Sequence, residues 1–289
     1  MHFLPLLLAF TTFILWGTGD IFGTLSSRKI GAMTTTYWVS ILGIFIFAPL
    51  AYFHKDELLN ISFPIFISII LVGALDVIGN YAFNKASSLG KASLNGTLAG
   101  SFAAITTLLS VIFLHESLTK YQALAIILIF AGIIFATLKF SELKNSEFLH
   151  DKGIKWALVS MICWGIFFTL IKLLIIKVGW FWPIYIPFFL FPIYHLSTMN
   201  KVKTKIELRW SLLFIAILLS ALMLRSGDML YNISLSQSQS SLTAPIAGSY
   251  PILYSVLAFY VFKEKLSKQQ IFGISCTLLG IIALSFFSV

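Results

Sequence analysis

The sequence predicts an all-α polytopic membrane protein, with ten transmembrane helices arranged as two inverted five-helix repeats. The first observation is composition. The 289 residues are 58% hydrophobic and 11% charged, with mean hydropathy +0.94, more apolar surface than a soluble domain of this length can bury. A bilayer-crossing helix takes roughly 20 apolar residues, so about ten such spans with short loops use up the chain. The second observation is an internal duplication. Trp16-Gly17 returns as Trp164-Gly165, a shift of 164 − 16 = 148 residues. The same shift carries Gly31 to Gly179, Tyr37 to Tyr185, Gly79 to Gly227, Asn84 to Asn232, Gly100-Ser101 to Gly248-Ser249, Glu116 to Glu264, Gln122 to Gln270 and Gly132-Ile133-Ile134 to Gly280-Ile281-Ile282. A duplication inside an all-membrane chain points to a carrier whose halves face each other across a central cavity.

Apolar runs broken by charged or turn-forming clusters predict spans near 4–23, 33–52, 64–84, 91–113 and 121–139, then 154–176, 182–199, 211–233, 240–262 and 269–287. Length separates them from buried helices of a soluble core, and a helix satisfies its own backbone in hydrocarbon. The first run has no basic residues ahead of it and Asp20 in place of a cleavage site. Its equivalent lies mid-chain, so we read it as a span, not a signal peptide. The polar stretch around 141–152, with Glu142, Lys144, Glu147, Asp151 and Lys152, is the linker. Five spans is an odd number, so the second repeat inserts upside down. In spans four and nine, Gly96, Gly100, Gly248, Pro245 and Pro251 allow close approach and bending, either as a gate or as ordinary packing.

The net charge of +9 is no nucleic-acid footprint, because the basic residues sit at span ends and in loops, where they meet lipid headgroups. Arg28-Lys29, the linker lysines, Lys201 to Arg209 and Lys263 to Lys268 share one side, and the positive-inside rule then places both termini outside the cytoplasm. Cys163 and Cys276 fall within spans, outside any metal-ligand spacing, and read as reduced packing residues.

Ionisable groups inside spans are costly and mark sites. Asp76, Asn80 and Asn84 stand at i, i+4 and i+8, one stripe on span three. Arg225, Asp228 and Asn232 stand at i, i+3 and i+7 on span eight. The shift of 148 maps Asn80 onto Asp228 and Asn84 onto Asn232, so the two stripes should meet at one cavity. Asp20 could line its mouth or bond near the interface. Lys172 could reach the cavity or snorkel. Trp16, Trp164, Tyr81 and Tyr250 accompany the polar stripe, and an aromatic wall beside carboxylates suits an amine or quaternary ammonium. The candidate substrate-binding residues are therefore Asp76, Asn80, Asp228, Arg225, Trp16, Trp164, Tyr81, Tyr250, Asn84 and Asp20. No nucleophile–base constellation, metal spacing or catalytic motif is present, which argues against an enzyme.

Trp16-Gly17 and Trp164-Gly165 resemble the opening of EamA-type repeats of the drug/metabolite transporter superfamily. So do Ala99-Gly100-Ser101-Phe102 and Pro245-Ile246-Ala247-Gly248-Ser249-Tyr250-Pro251. Leu114-His115-Glu116-Ser117-Leu118-Thr119 and Phe262-Lys263-Glu264-Lys265-Leu266-Ser267, each with a Gln three residues on, strengthen the likeness. The resemblance divides the chain into a first five-helix repeat at 1–140, the linker at 141–152 and a second repeat at 153–289. It implies a ten-helix basket with the cavity built from spans one to four and six to nine, and spans five and ten peripheral. Glu116 and Glu264 would tie loops to helix ends. The resemblance also implies secondary transport of small metabolites by alternating access in the inner membrane, and a monomer that suffices.

Two substrate classes follow. In the first, Asp76 and Asp228 hold the cationic group of an amino acid or an organic cation such as choline, and Arg225 a carboxylate where there is one. In the alternative, Arg225 and Lys172 face the phosphate of an anionic sugar or nucleotide sugar. The expected partners are that small molecule and the lipid bilayer. No cofactor is implied, and one of the carboxylates could couple transport to a proton.

Overall fold

The computed structural model describes residues 3–137, 152–198, 212–263 and 267–288. All of the longer elements are helices. Eight spans are long and apolar enough to cross a membrane: Phe3–Ile30, Ala32–Phe53, Phe63–Leu89, Ala92–Phe113, Lys152–Val178, Leu212–Gln237, Ser240–Val261 and Lys268–Phe287. Two further crossings complete the ten. One is the helix Lys120–Thr137. The other is span seven, a helix at Trp182–Tyr185, a 3-10 turn at Ile186–Phe189 and a helix at Leu190–Thr198. Pro183 and Pro187 open its first two pieces, and each proline removes an amide hydrogen from the helical ladder. Residues 141–151 of the linker lie outside the described residues, as does Glu264, and Lys152 begins span six.

Spans four and nine are both broken, at Ser101 and at Gly248 to Tyr250. In span nine Pro251 begins the second half and Pro245 sits inside the first. Span four breaks at the same repeat position without a proline, so the proline is not the whole cause. The two halves cross there. A Cβ on Gly100 would stand 2.1 Å from Pro251 Cγ, and one on Gly248 would stand 2.4 Å from Ala103 Cβ.

The repeats interleave. Span one packs most extensively on span eight, and its mate, span six, on span three. Mates run antiparallel. The first half of span four meets the second half of span nine, and the reverse. Gln122 at the start of span five donates to the Phe287 carbonyl at the end of span ten, and Gln269 at the start of span ten donates to the Phe135 carbonyl. Near the middle of that pair the Thr277 hydroxyl donates to the Ile129 carbonyl at 3.4 Å, and Thr277 and Ile129 are themselves 148 residues apart. A pseudo-twofold axis in the membrane plane therefore passes through this contact, as an inverted repeat requires.

The axis accounts for the duplicated glycines. Gly132 and Gly280 allow spans five and ten to touch, with Cβ positions 2.3 Å from Thr277 Oγ1 and 2.7 Å from Ile129 Cγ1. Gly31 and Gly179 start spans two and seven at φ 84° and 82°, a left-handed conformation that favours glycine. Outward-facing Phe45, Ile127 and Ile282 are largely exposed, as expected of a lipid-facing surface.

Candidate functional site

The centre of the molecule holds a small cavity lined by Trp16, Asp20, Asp76, Asn80, Phe102, Trp164, Phe168, Leu224, Asp228 and Tyr250. These ten residues are five repeat-mate pairs at the offset of 148: Trp16 with Trp164, Asp20 with Phe168, Asp76 with Leu224, Asn80 with Asp228, and Phe102 with Tyr250. The cavity therefore sits on the pseudo-twofold axis. Its volume is about 30 Å³, roughly one water's share of the liquid, too small for a metabolite. A metabolite enters only if the walls separate.

The walls come from the interleaved span pairs. Spans one and eight supply Trp16, Asp20, Leu224 and Asp228, and spans six and three supply Trp164, Phe168, Asp76 and Asn80. The two tryptophans reach the axis because glycines face them. A Cβ on Gly227 would stand 2.7 Å from Trp16 Cδ1, and one on Gly79 would stand 2.6 Å from Trp164 Cδ1. Phe102 and Tyr250 close the gap from spans four and nine, their rings stacked with centroids 6.5 Å apart. Phe168 packs against Trp16 and Phe102.

The fold is symmetric but the chemistry is not. Each of the three carboxylates faces an uncharged mate: Asp20 opposes Phe168, Asp76 opposes Leu224, and Asp228 opposes Asn80. Asp228 is fully engaged. Its Oδ1 accepts from Trp16 Nε1 at 2.9 Å and its Oδ2 from Arg225 Nη1 at 2.8 Å. Asn80 turns to Asp76, donating to its Oδ1 at 2.8 Å and its main-chain carbonyl at 2.9 Å. Trp164 Nε1 leans toward the Asp76 carboxylate but completes no hydrogen bond. Asp20 is buried and held by no hydrogen bond or ion pair among the described residues. Its charge lies within electrostatic reach of Asp228 and of the Tyr250 ring.

Seven of the ten candidate residues thus line the cavity: Trp16, Asp20, Asp76, Asn80, Trp164, Asp228 and Tyr250. The other three are placed elsewhere. Arg225 is buried beside the site, tied to Asp228, with its guanidinium 4.5 Å over the Phe188 ring and its aliphatic part against Gly43. Asn84 donates to the Thr36 hydroxyl at 3.0 Å. Tyr81 points away into an apolar groove between spans two, three and seven, against Trp156 and Phe191. The cavity residues outside the candidate list are Phe102, Phe168 and Leu224. Each is the repeat mate of a residue on that list, and this was the available signal.

Two other sequence candidates have structural posts. Lys172 Nζ donates to the Leu235 and Ser238 carbonyls at the end of span eight. Arg28 does the same for the repeat-equivalent Ser87 and Gly90 carbonyls of span three. These cations supply donors to carbonyls at the helix ends, where backbone partners run out. Glu116 accepts from the Ser240 and Ser241 amides at 2.8 and 2.7 Å and caps the start of span nine.

No group of three or more potential metal ligands is present among the described residues. The family model of the EamA-like transporter family matches residues 3–138 and again 151–286, which reproduces the offset of 148. An uncharacterized protein of Methanocaldococcus jannaschii is 30% identical over 125 residues, 43% of this chain and 90% of that protein. That relative therefore has the length of about one repeat. A solved structure titled only as a crystal structure of a protein superimposes with TM-score 0.77 at 14% identity, covering 98% of this chain and 96% of the other, which shares the fold. With both halves matched and ten helices interleaved around a central cavity, the chain belongs to the EamA-like transporter family and is a multi-pass membrane protein that carries small molecules, not an enzyme.

Proposed function

We propose that the protein carries a small organic cation bearing an amine across the cell membrane, by alternating access through the central cavity. The observation that carries this reading is the lining: three carboxylates and five aromatic rings, with no basic side chain among them. Carboxylates and aromatic faces both attract a cationic nitrogen, and the attraction grows when the cation is desolvated.

An amino acid would need a counter-charge for its carboxylate. Arg225 does not line the cavity: its Nη1 donates to Asp228 and its guanidinium lies over the Phe188 ring. This favours a cation without a carboxylate over a zwitterion. The phosphate-carrying alternative is less well supported still. Lys172 serves the end of span eight, outside the cavity lining, and the carboxylates would repel an anion.

The cell (inner) membrane, the outward placement of both termini and a functional monomer belong to the same proposal. Both walls of the cavity come from one chain, which supports the monomer. Proton exchange at a cavity carboxylate is the coupling that these residues would permit. The test is thermal stabilisation of the purified protein by alkylamines, amino acids, polyamines and sugar phosphates, because a ligand that binds the folded state raises its midpoint. Stabilisation by amines, lost in Asp76→Asn and Asp228→Asn proteins that still fold, is the expected result. Stabilisation by phosphorylated ligands alone would overturn the reading.

A further inference from the structure

The bonding state of the cavity narrows the substrate beyond "organic cation". Asp228 has both oxygens satisfied by Trp16 and Arg225. Asp76 takes the Asn80 amide on Oδ1, and Phe102, Phe168 and Leu224 offer no polar atom. Three polar groups that line the cavity are left without a hydrogen bond: the Asp20 carboxylate, the Tyr250 hydroxyl and the Trp164 N–H. All three residues are more than nine-tenths buried, at 5%, 1% and 8% exposed. Buried polar groups in folded proteins are normally hydrogen-bonded, and an orphan is costly. Three orphans around one cavity describe what is to be bound there.

The set consists of one carboxyl group, one neutral N–H donor and one hydroxyl that can donate or accept. A ligand that satisfies all three has one cationic nitrogen for Asp20 and a neutral oxygen for the other two. Resting on the reading above, we propose that the site selects an amino alcohol: a monovalent amine whose short chain carries a hydroxyl. A second amine would find no carboxylate free of hydrogen bonds, because Asp76 and Asp228 each accept at least one already, and a carboxylate on the ligand would find no cation in the lining. The pseudo-twofold axis shows how the selectivity is set. The repeat mate of Tyr250 is Phe102, so the hydroxyl is one atom added to a ring that both halves supply. The mate of Trp164 is Trp16, whose N–H is already given to Asp228.

Four two-carbon probes test this by calorimetric or thermal-shift titration of the full-length protein: ethylamine, ethanolamine, glycine and ethylenediamine. Ethanolamine should bind about three- to tenfold more tightly than ethylamine, the range for one neutral hydrogen bond, with glycine and ethylenediamine weaker than either. Tyr250→Phe keeps the ring, as Phe102 does in the other half. It should bring ethanolamine down toward ethylamine, shrinking the ratio between the two. Asp20→Asn should lose both amines. Equal affinities for ethylamine and ethanolamine, or a preference that survives unchanged in Tyr250→Phe, would overturn the amino-alcohol assignment and leave the cation reading standing. Tightest binding by glycine, or binding by none of the amines, would overturn both.

Discussion

Gly227→Ala and Gly79→Ala are the same substitution made on the two sides of the pseudo-twofold axis, and their consequences should differ. The added methyl of Gly227→Ala stands 2.7 Å from Trp16 Cδ1 and 2.8 Å from its Nε1, where ordinary contact begins at 3.4 Å. The indole must therefore retreat by about 0.7 Å. The Trp16–Asp228 bond, 2.9 Å long, would then exceed the distance at which a hydrogen bond persists. Losing a bond to a charged acceptor costs about 1.5–3 kcal/mol and overpacking about 1–3 kcal/mol, against roughly 1 kcal/mol gained from alanine's helix preference. The net is a destabilisation of about 1.5–5 kcal/mol. Gly79→Ala crowds Trp164 as closely, at 2.6 Å, but Trp164 Nε1 has no completed bond to lose. That leaves about 0–2 kcal/mol. Unfolding of both variants in mixed micelles, monitored by tryptophan fluorescence, measures the difference. If Gly79→Ala destabilises as much as Gly227→Ala, the Trp16–Asp228 bond contributes nothing and the argument for an engaged Asp228 fails.

Three further substitutions probe the groups beside the cavity. Arg225→Met leaves Asp228 buried with one partner removed and should cost about 3–5 kcal/mol. Adding Asp228→Asn should recover a large part of that, which a double-mutant cycle in the same unfolding assay reads directly. Glu116→Ala frees the Ser240 and Ser241 amides and should cost about 1–2 kcal/mol, the range of a lost helix N-cap, with faster hydrogen exchange at the start of span nine. Gly31→Ala meets nothing within 4 Å but sits at φ 84°. Its cost should be backbone strain alone, about 1–3 kcal/mol, measured by the shift in unfolding midpoint.

Much of the architecture was legible because the duplication is written at one offset. Apart from Gly31 and Gly179, the glycines and tryptophans that match at 148 are residues at which helices touch closely, so the pattern recorded contacts that no single span reveals. The cavity was legible in part. Asp76, Asn80 and Asp228 were found as polar atoms in apolar spans, but Phe102, Phe168 and Leu224 are ordinary apolar residues in apolar surroundings and stand out only as repeat mates of Tyr250, Asp20 and Asp76. Arg225 misled for a physical reason. A position three residues from Asp228 puts it on the same helical face, but its long side chain turns sideways to pair with Asp228 and cover Phe188. Tyr81 follows Asn80 by one residue and so faces another way, toward Trp156. Asn84 is taken by Thr36 on span two, a partner no reading of span three alone could supply. The 3-10 turn in span seven was hidden in a run whose hydropathy is continuous.

The two halves agree and disagree in different places, and that division separates scaffold from site. They agree where a side chain would block the approach of helices: at Gly100 and Gly248, at Gly132 and Gly280, and at Gly79 and Gly227 behind the tryptophans. They disagree at four of the five pairs that line the cavity, and in three of these a carboxylate meets an uncharged mate. A carrier that rocks about a twofold axis needs the first kind of agreement, because both mouths must close by equivalent contacts. It does not need the second, because one substrate in one orientation touches the two walls with different groups. A substrate lacking twofold symmetry is bound better by walls that differ. Divergence of the duplicated lining around a retained framework is the route by which a symmetric fold acquires a site for an asymmetric ligand.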